Sequence, residues 1–315
     1  MKPVRHLILM TGTPLTTPMD VFGYTRFTYP QAYYSQAWFE AAHVVERDMH
    51  DNVTKWKDKE LLQENFLHNA ARVFRREIDE DLPQVTYEPI TYSLTPEHKA
   101  AYNQLAELAM TEVEGKKLSA TTVQKLNTML QQIIIGYEGF FETDSQKKKA
   151  RKKVAGFDLL DEVMDSLGTR KLIVFAYFQK SITALKDHGS KYNAVAIYGG
   201  MTDKQRQEAL SQFLEDEACR LLIGQPLSMG SGLDSLKDVC SDILFLELPM
   251  IAKDFEQAVG RIDRNGQKER CHVRIATAKG TLQVRRQKAL LDKDEQANEI
   301  QLNMKDLRDW IYGDE

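Results

Sequence analysis

Only three cysteines stand in 315 residues, Cys219, Cys240 and Cys271, odd in number and far apart. They offer neither a disulfide framework nor the paired spacing of a zinc site, and their apolar neighbours suit buried, reduced thiols in a cytosolic or nuclear protein. No apolar run approaches the roughly 18 residues needed to cross a bilayer. The opening Met1-Lys2-Pro3-Val4-Arg5-His6 lacks the charged, apolar and small-residue order of a signal peptide. Membrane and secreted readings are set aside on these grounds. Charge of one sign is also lacking. A net charge of -4 argues against binding to nucleic acid by bulk charge, although a local patch can still do that work. The seven histidines, His43 and His50 among them, have no convincing companion ligands and read as surface or core residues.

The C-terminal half alternates short β-rich apolar runs with helical segments. The runs are residues 171–178, 193–198, 220–223, 243–248 and 273–276. That rhythm predicts an α/β fold, a doubly wound parallel sheet with helices on both faces. Thr202 with Gln205 three residues on forms a capping box ahead of Leu210 and Phe213. In the N-terminal half, Val4 to Met10 reads as one short strand. A lone strand has unpaired amides and carbonyls that want neighbours, which points to a missing upstream segment. Most of residues 31–80 and 96–135 reads as helix, the latter opening at Thr95-Pro96. Trp38, Phe39 and Trp56 are expected to pack this helical region. Ile300, Met304, Leu307, Trp310 and Ile311 form an amphipathic stripe in the acidic tail. The expected division is 1–84, 85–291 and a tail at 292–315.

Between the halves lies a basic run, Lys147, Lys148, Lys149, Arg151, Lys152 and Lys153. It is either a solvated linker or a contact to a nucleic-acid backbone, where each cation neutralises phosphate and releases counterions. Three further segments carry possible chemistry. In QAVGRIDRNGQ, a helix would project Gln257, Arg261 and Arg264 from one face, and two adjacent arginines make a fork for phosphate oxygens. In GQPLSMGSGLD, Gly230 and Gly232 precede Asp234 at the exit of a buried strand, where backbone amides can approach a ligand. In MTGTP, Thr11 and Thr13 offer hydroxyls around Gly12.

Taken in order, MTGTP, KLIVFAYF, IYGGMTDKQRQEAL, SMGSGLD and QAVGRIDRNGQ resemble the successive motifs of superfamily 2 helicases. RIDRNGQ is similar to the arginine-rich signature of their Swi/Snf-like DNA translocase branch. RREIDEDLP, YSLTPEHKAAY, LQQIIIG and KGTLQ fit as well. The resemblance implies an engine of two RecA-like lobes with ATP in the cleft between them. The phosphate-cradling loop and the acidic magnesium box belong to the first lobe, and neither occurs in this sequence. The chain therefore resembles the end of a first lobe followed by a complete second lobe. ATP and Mg2+ would be held mainly by a first lobe on another chain or segment, and double-stranded DNA would be the track.

By the same resemblance, Arg261 and Arg264 would be arginine fingers with Gln257 beside them. Gly230, Gly232, Asp234, Thr11, Gly12 and Thr13 would border the nucleotide. Gln179, Lys180 and Ser181, at a helix start, would face a DNA phosphate. Thr17 stands where the family often has asparagine, and Met250 where an aromatic residue is common. A different class stays open: a non-catalytic DNA- or protein-binding module derived from such a lobe.

Overall fold

The computed structural model describes residues 7–10, 18–47, 51, 53–71, 83–113, 120–136, 153–226, 228–229, 234–249 and 252–291. The chain divides into two compact units, Met1–Asp81 and Leu82–Glu315.

In the first unit, helices α1 (Asp20–Thr28), α2 (Gln36–His43) and α3 (Lys59–Leu67) accompany an antiparallel pair, β1 (Val44–Arg47) and β2 (Val53–Trp56). The helix expected across 31–80 is thus interrupted, because Val44, Val45, Val53 and Thr54 are β-branched and suit a pleated ribbon better than a helix. Ser35 starts α2 by accepting a hydrogen bond from the Trp38 amide at 3.2 Å. Phe39 is fully buried with Val21, Tyr33 and Leu62, and Trp56 packs against them.

Trp38 departs from its expected packing role. It is 53% exposed and lies against the exposed Tyr34, with ring centroids 4.7 Å apart. His43 is a satisfied core histidine, bonded to the Tyr33 hydroxyl at 2.6 Å and the Lys57 carbonyl at 3.3 Å. The strand expected at Val4–Met10 is not formed over its described part. Residues 7–10 carry no strand pairing among the described residues, and Ile8 and Met10 are 82% and 89% exposed. A strand exists through its ladder, and apolar content alone does not make one.

The second unit holds a six-stranded sheet in the order β3-β8-β7-β4-β6-β5, every neighbouring pair parallel. Its strands are β3 (Thr86–Tyr92), β4 (Leu172–Phe175), β5 (Val195–Ile197), β6 (Leu221–Gly224), β7 (Asp242–Phe245) and β8 (His272–Ala278). The helices are α4 (Pro96–Val113), α5 (Ala120–Ile134), α6 (Ala155–Leu167), α7 (Gln179–His188), α8 (Asp203–Glu215), α9 (Ala252–Val259) and α10 (Leu282–Leu291). The central strands β4, β6 and β7 are buried at every position, and separate apolar clusters cover the two sheet faces. This is the RecA-like α/β architecture. β3 is an addition to the expected strands. Pro89 argues against a central strand but is tolerated at an edge, which is where β3 lies, paired among the described residues only with β8.

The two helix starts read from sequence form as expected. The Thr95 hydroxyl accepts from the His98 amide at 3.4 Å. At α8, Gln205 N–H donates to the Thr202 hydroxyl at 3.3 Å while the Thr202 amide donates to the Gln205 side chain at 2.9 Å. Replacing Thr202 with alanine removes the first of these bonds. It is expected to cost about 1 kcal/mol, read as a lower urea midpoint at unchanged slope.

At the N-terminal edge of the sheet, Asp242 is fully buried between two arginines. Arg170 donates to one carboxylate oxygen at 2.6 Å and Arg274 to the other at 2.7 Å, and Arg274 also pairs with Glu88 at 3.2 Å. This network ties β3, β7, β8 and the residues before β4. Among the described residues, no helix is long and apolar enough to cross a membrane.

Candidate functional site

In an open parallel sheet, ligands bind beyond the carboxyl ends of the strands. The sequence-selected residues that the structure describes gather mostly in the segments leaving that edge. The helix expected to carry Gln257, Arg261 and Arg264 on one face does not extend that far. α9 contains Gln257 and ends at Val259. The chain then descends in tight turns. The Arg261 amide donates to Ala258 O at 3.2 Å, Asp263 to Val259 O at 3.0 Å and Arg264 to Ile262 O at 3.0 Å. Gly260 weakens the helix at this point, and Ile262, fully buried, pulls the backbone into the core. The two arginines therefore stand on a turn fixed from below.

Gln267 supplies much of that fixation. It is 7% exposed, and its amide nitrogen donates to the carbonyls of Cys240 and Ile262, both at 3.2 Å. Its oxygen accepts from the amides of Lys268 and Glu269 at 2.9 Å. A buried polar side chain satisfied in this way specifies one local conformation. Gly266 has φ +90°, and a Cβ there would meet Lys237 Nζ at 2.9 Å. Lys237 lies in the short turn Asp234–Asp238, so the turn that Asp234 begins abuts the arginine turn.

Arg261 is half-buried, and burial lowers its pKa from the usual arginine value. Its Nε is shut from solvent and makes no hydrogen bond among the described residues. A guanidinium stays protonated, so this is a partly desolvated cation. Such a group gains most from an anion that arrives with its own negative charge.

At the start of α7, Gln179 and Lys180 are exposed, and Gln179 Nε2 donates to the Gly199 carbonyl at 2.6 Å. Ser181 departs from the expected phosphate-facing role. It is 5% exposed and hydrogen-bonds to Glu247, because the first turn of α7 leans on the end of β7. Glu247 also accepts from the amides of Tyr177 and Phe178, the latter at 3.0 Å. Glu247 and Gln225, whose side chain bonds to Tyr177, Gly199 and Ser228, were not among the sequence-selected residues. A lone charge inside the apolar run ILFLELP was the available signal for Glu247. Lys153 is exposed and pairs with Asp158 at 3.7 Å. Lys147, Lys148, Lys149, Arg151, Lys152, Thr11, Gly12, Thr13, Gly230 and Gly232 lie outside the described residues. So do Ile300, Met304, Leu307, Trp310 and Ile311 of the tail. Among the described residues, no group of three histidine, cysteine or carboxylate side chains is placed to hold a metal ion.

Residues 155–266 match the helicase conserved C-terminal domain. That span runs from the start of α6 into the arginine turn. An ATP-dependent RNA helicase, DBP3 of Lodderomyces elongisporus, is 29% identical over 102 residues, covering 32% of this chain and 18% of that protein. The chain thus spans less than a fifth of that curated relative's length. The C-terminal part of the Fun30 ATPase domain shares the fold with TM-score 0.54 and 13% identity, covering 72% of this chain and 99% of that one. The Sulfolobus solfataricus SWI2/SNF2 ATPase core in complex with dsDNA gives TM-score 0.56 and 19% identity over 90% of this chain and 61% of that one. Residues 155–266 thus carry a helicase conserved C-terminal domain, within a unit, Leu82–Glu315, of RecA-like fold.

Proposed function

We propose that this chain supplies the arginine-bearing half of an ATP-dependent, Swi/Snf-like nucleic-acid translocase, and that a first lobe carried by another chain or segment completes it. The observation that carries the reading is Arg261, a partly desolvated guanidinium on a turn pinned by Ile262 and Gln267. Such a group is poised to meet the phosphates of a nucleotide bound elsewhere. Arg264 and Gln257 stand on the same stretch, and Asp234 begins the turn packed against it. By the order of its motifs, ATP and Mg2+ would be held mainly by the complementing lobe, and this chain would supply charge to the developing transition state.

On the polymer side, Gln179 and Lys180 offer an exposed polar face at the start of α7. The order of the motifs and a structural neighbour solved with duplex DNA favour duplex DNA as the track. The curated relative named as an RNA helicase makes RNA the competing substrate. Affinity capture from the native cell extract tests the reading. The expected result is a recovered chain with a phosphate-binding loop, and a complex preferring duplex DNA over RNA of equal length. Capture of no such chain, with polynucleotide binding intact, would favour the non-catalytic binding module.

A further inference from the structure

The peptide of Tyr177, between β4 and α7, is held on both sides by side chains from neighbouring strands. Its carbonyl accepts from Gln225 Nε2, just past β6, and its amide donates to Glu247 Oε2, two residues past β7. The first amides of any helix lack intrahelical partners. At α7 the capping residue Phe178 gives no side-chain bond, and Glu247 does that work from another strand, accepting the Phe178 amide and bonding to Ser181. Gln225 Oε1 accepts from the Gly199 amide at 2.9 Å and the Ser228 hydroxyl at 2.7 Å. The loops leaving β4, β5 and β6 are thereby tied at one point, and Gln179 closes the ring through the Gly199 carbonyl.

We propose that Gln225 and Glu247 are positioning residues that grip the Tyr177 peptide from both sides, holding the Gln179–Lys180 end of α7, and that Glu247 makes this grip proton-dependent. Glu247 is 1% exposed, and its second oxygen, Oε1, is buried with no hydrogen-bond partner among the described residues. Tyr92 faces it from β3. Tyr177 faces it with Asp254 of α9 and Arg286 of α10 behind, and Ser181 faces it from α7. Burial pushes the carboxyl up to about 7, against the opposing hydrogen bonds from Ser181 and the two amides.

When the loop opens, Glu247 meets water and titrates in the ordinary carboxylate range. Between those two values the closed form binds more protons than the open one. The grip is therefore strongest at low pH and weakens as pH rises towards and past 7. What this does to polynucleotide binding rests on the function proposed above. The protection of the two amides does not, so the two claims fail separately.

Amide hydrogen exchange of the intact chain, corrected for intrinsic rates, reads the grip directly. From pH 5 to pH 8, protection at Tyr177 and Phe178 is expected to fall by roughly tenfold or more in the natural chain. Glu247→Gln keeps an acceptor oxygen and cannot ionise, so its protection should stay flat across that range. Gln225→Leu and Glu247→Leu should lose protection at both pH values. Parallel profiles for the natural chain and Glu247→Gln would overturn the proton dependence. Unchanged protection in Gln225→Leu would overturn the grip, and that arm decides the matter even if Glu247→Leu fails to fold.

Discussion

Replacing Arg261 and Arg264 together with alanine is expected to lower ATP turnover of the completed engine by a factor on the order of 10³ to 10⁵, the range seen when an arginine that meets phosphoryl-transfer charge is lost. Stability should hardly change. The two side chains stand on a turn whose shape is set by fully buried Ile262 and by the four bonds of Gln267, none of which the substitutions touch. Arg261→Lys should rescue poorly, because an ammonium keeps the charge and loses the planar fork. Gln267→Ala should act differently. It removes the Gln267 donor from the Cys240 carbonyl and one of two donors from the Ile262 carbonyl, which keeps the Arg264 amide, and it loosens the turn, so activity and thermal stability should fall together. A turnover assay paired with a melting curve separates the two behaviours.

Replacing Asp242 with alanine is expected to cost about 3 to 5 kcal/mol of folding stability, the largest effect of any single change considered. Asp242 is wholly buried and holds Arg170 and Arg274, one on each oxygen. Arg170 is half-exposed and can swing to water when its partner goes. Arg274 is only 11% exposed and keeps just the Glu88 contact, so a charge is stranded at the sheet's edge. The cost follows from that stranding more than from the lost attraction, since a buried pair repays its own desolvation only in part. Urea unfolding should show the midpoint fall at unchanged slope, with the loss smaller for Asp242→Asn, which still presents an acceptor. A midpoint within error of the natural chain would show that the network does not hold β7 and β8 together.

How much of this was legible in the residues depends on the range of the interaction. The central strands were plain because Leu172–Phe175, Leu221–Gly224 and Asp242–Phe245 are short runs buried on both faces, and such runs keep their character in any context. Thr202 and Thr95 were readable because a cap is settled within four residues. β3 was missed because Pro89 is admissible only at an edge, and which strand is the edge is a property of the whole sheet. The pair β1 and β2 was hidden within a helical reading for a similar reason, since it joins residues that are not neighbours in sequence, such as Val44 and Trp56.

At the site, the arginines were visible as a motif, but their geometry was not. Helical periodicity carried Arg261 past Val259, while buried Ile262 and Gly266 at positive φ turned the chain instead. Ser181 looked available at a helix start, and only the fold brings Glu247, two residues past β7, to cover it. Gln225 and Glu247 gave little local sign because, Ser228 apart, the partners Gly199, Tyr177 and Phe178 are 26 or more residues away in the loops of other strands.

The measurement that bears most directly on the central claim is ATP turnover by the purified chain, alone and mixed with a chain carrying the phosphate-binding lobe, each with and without duplex DNA. The expected result is no turnover by this chain alone, and turnover in the mixture that duplex DNA stimulates. The stimulated rate should be abolished by the paired replacement of Arg261 and Arg264. Robust turnover by the purified chain alone, or stimulated turnover that survives the loss of both arginines, would contradict the account.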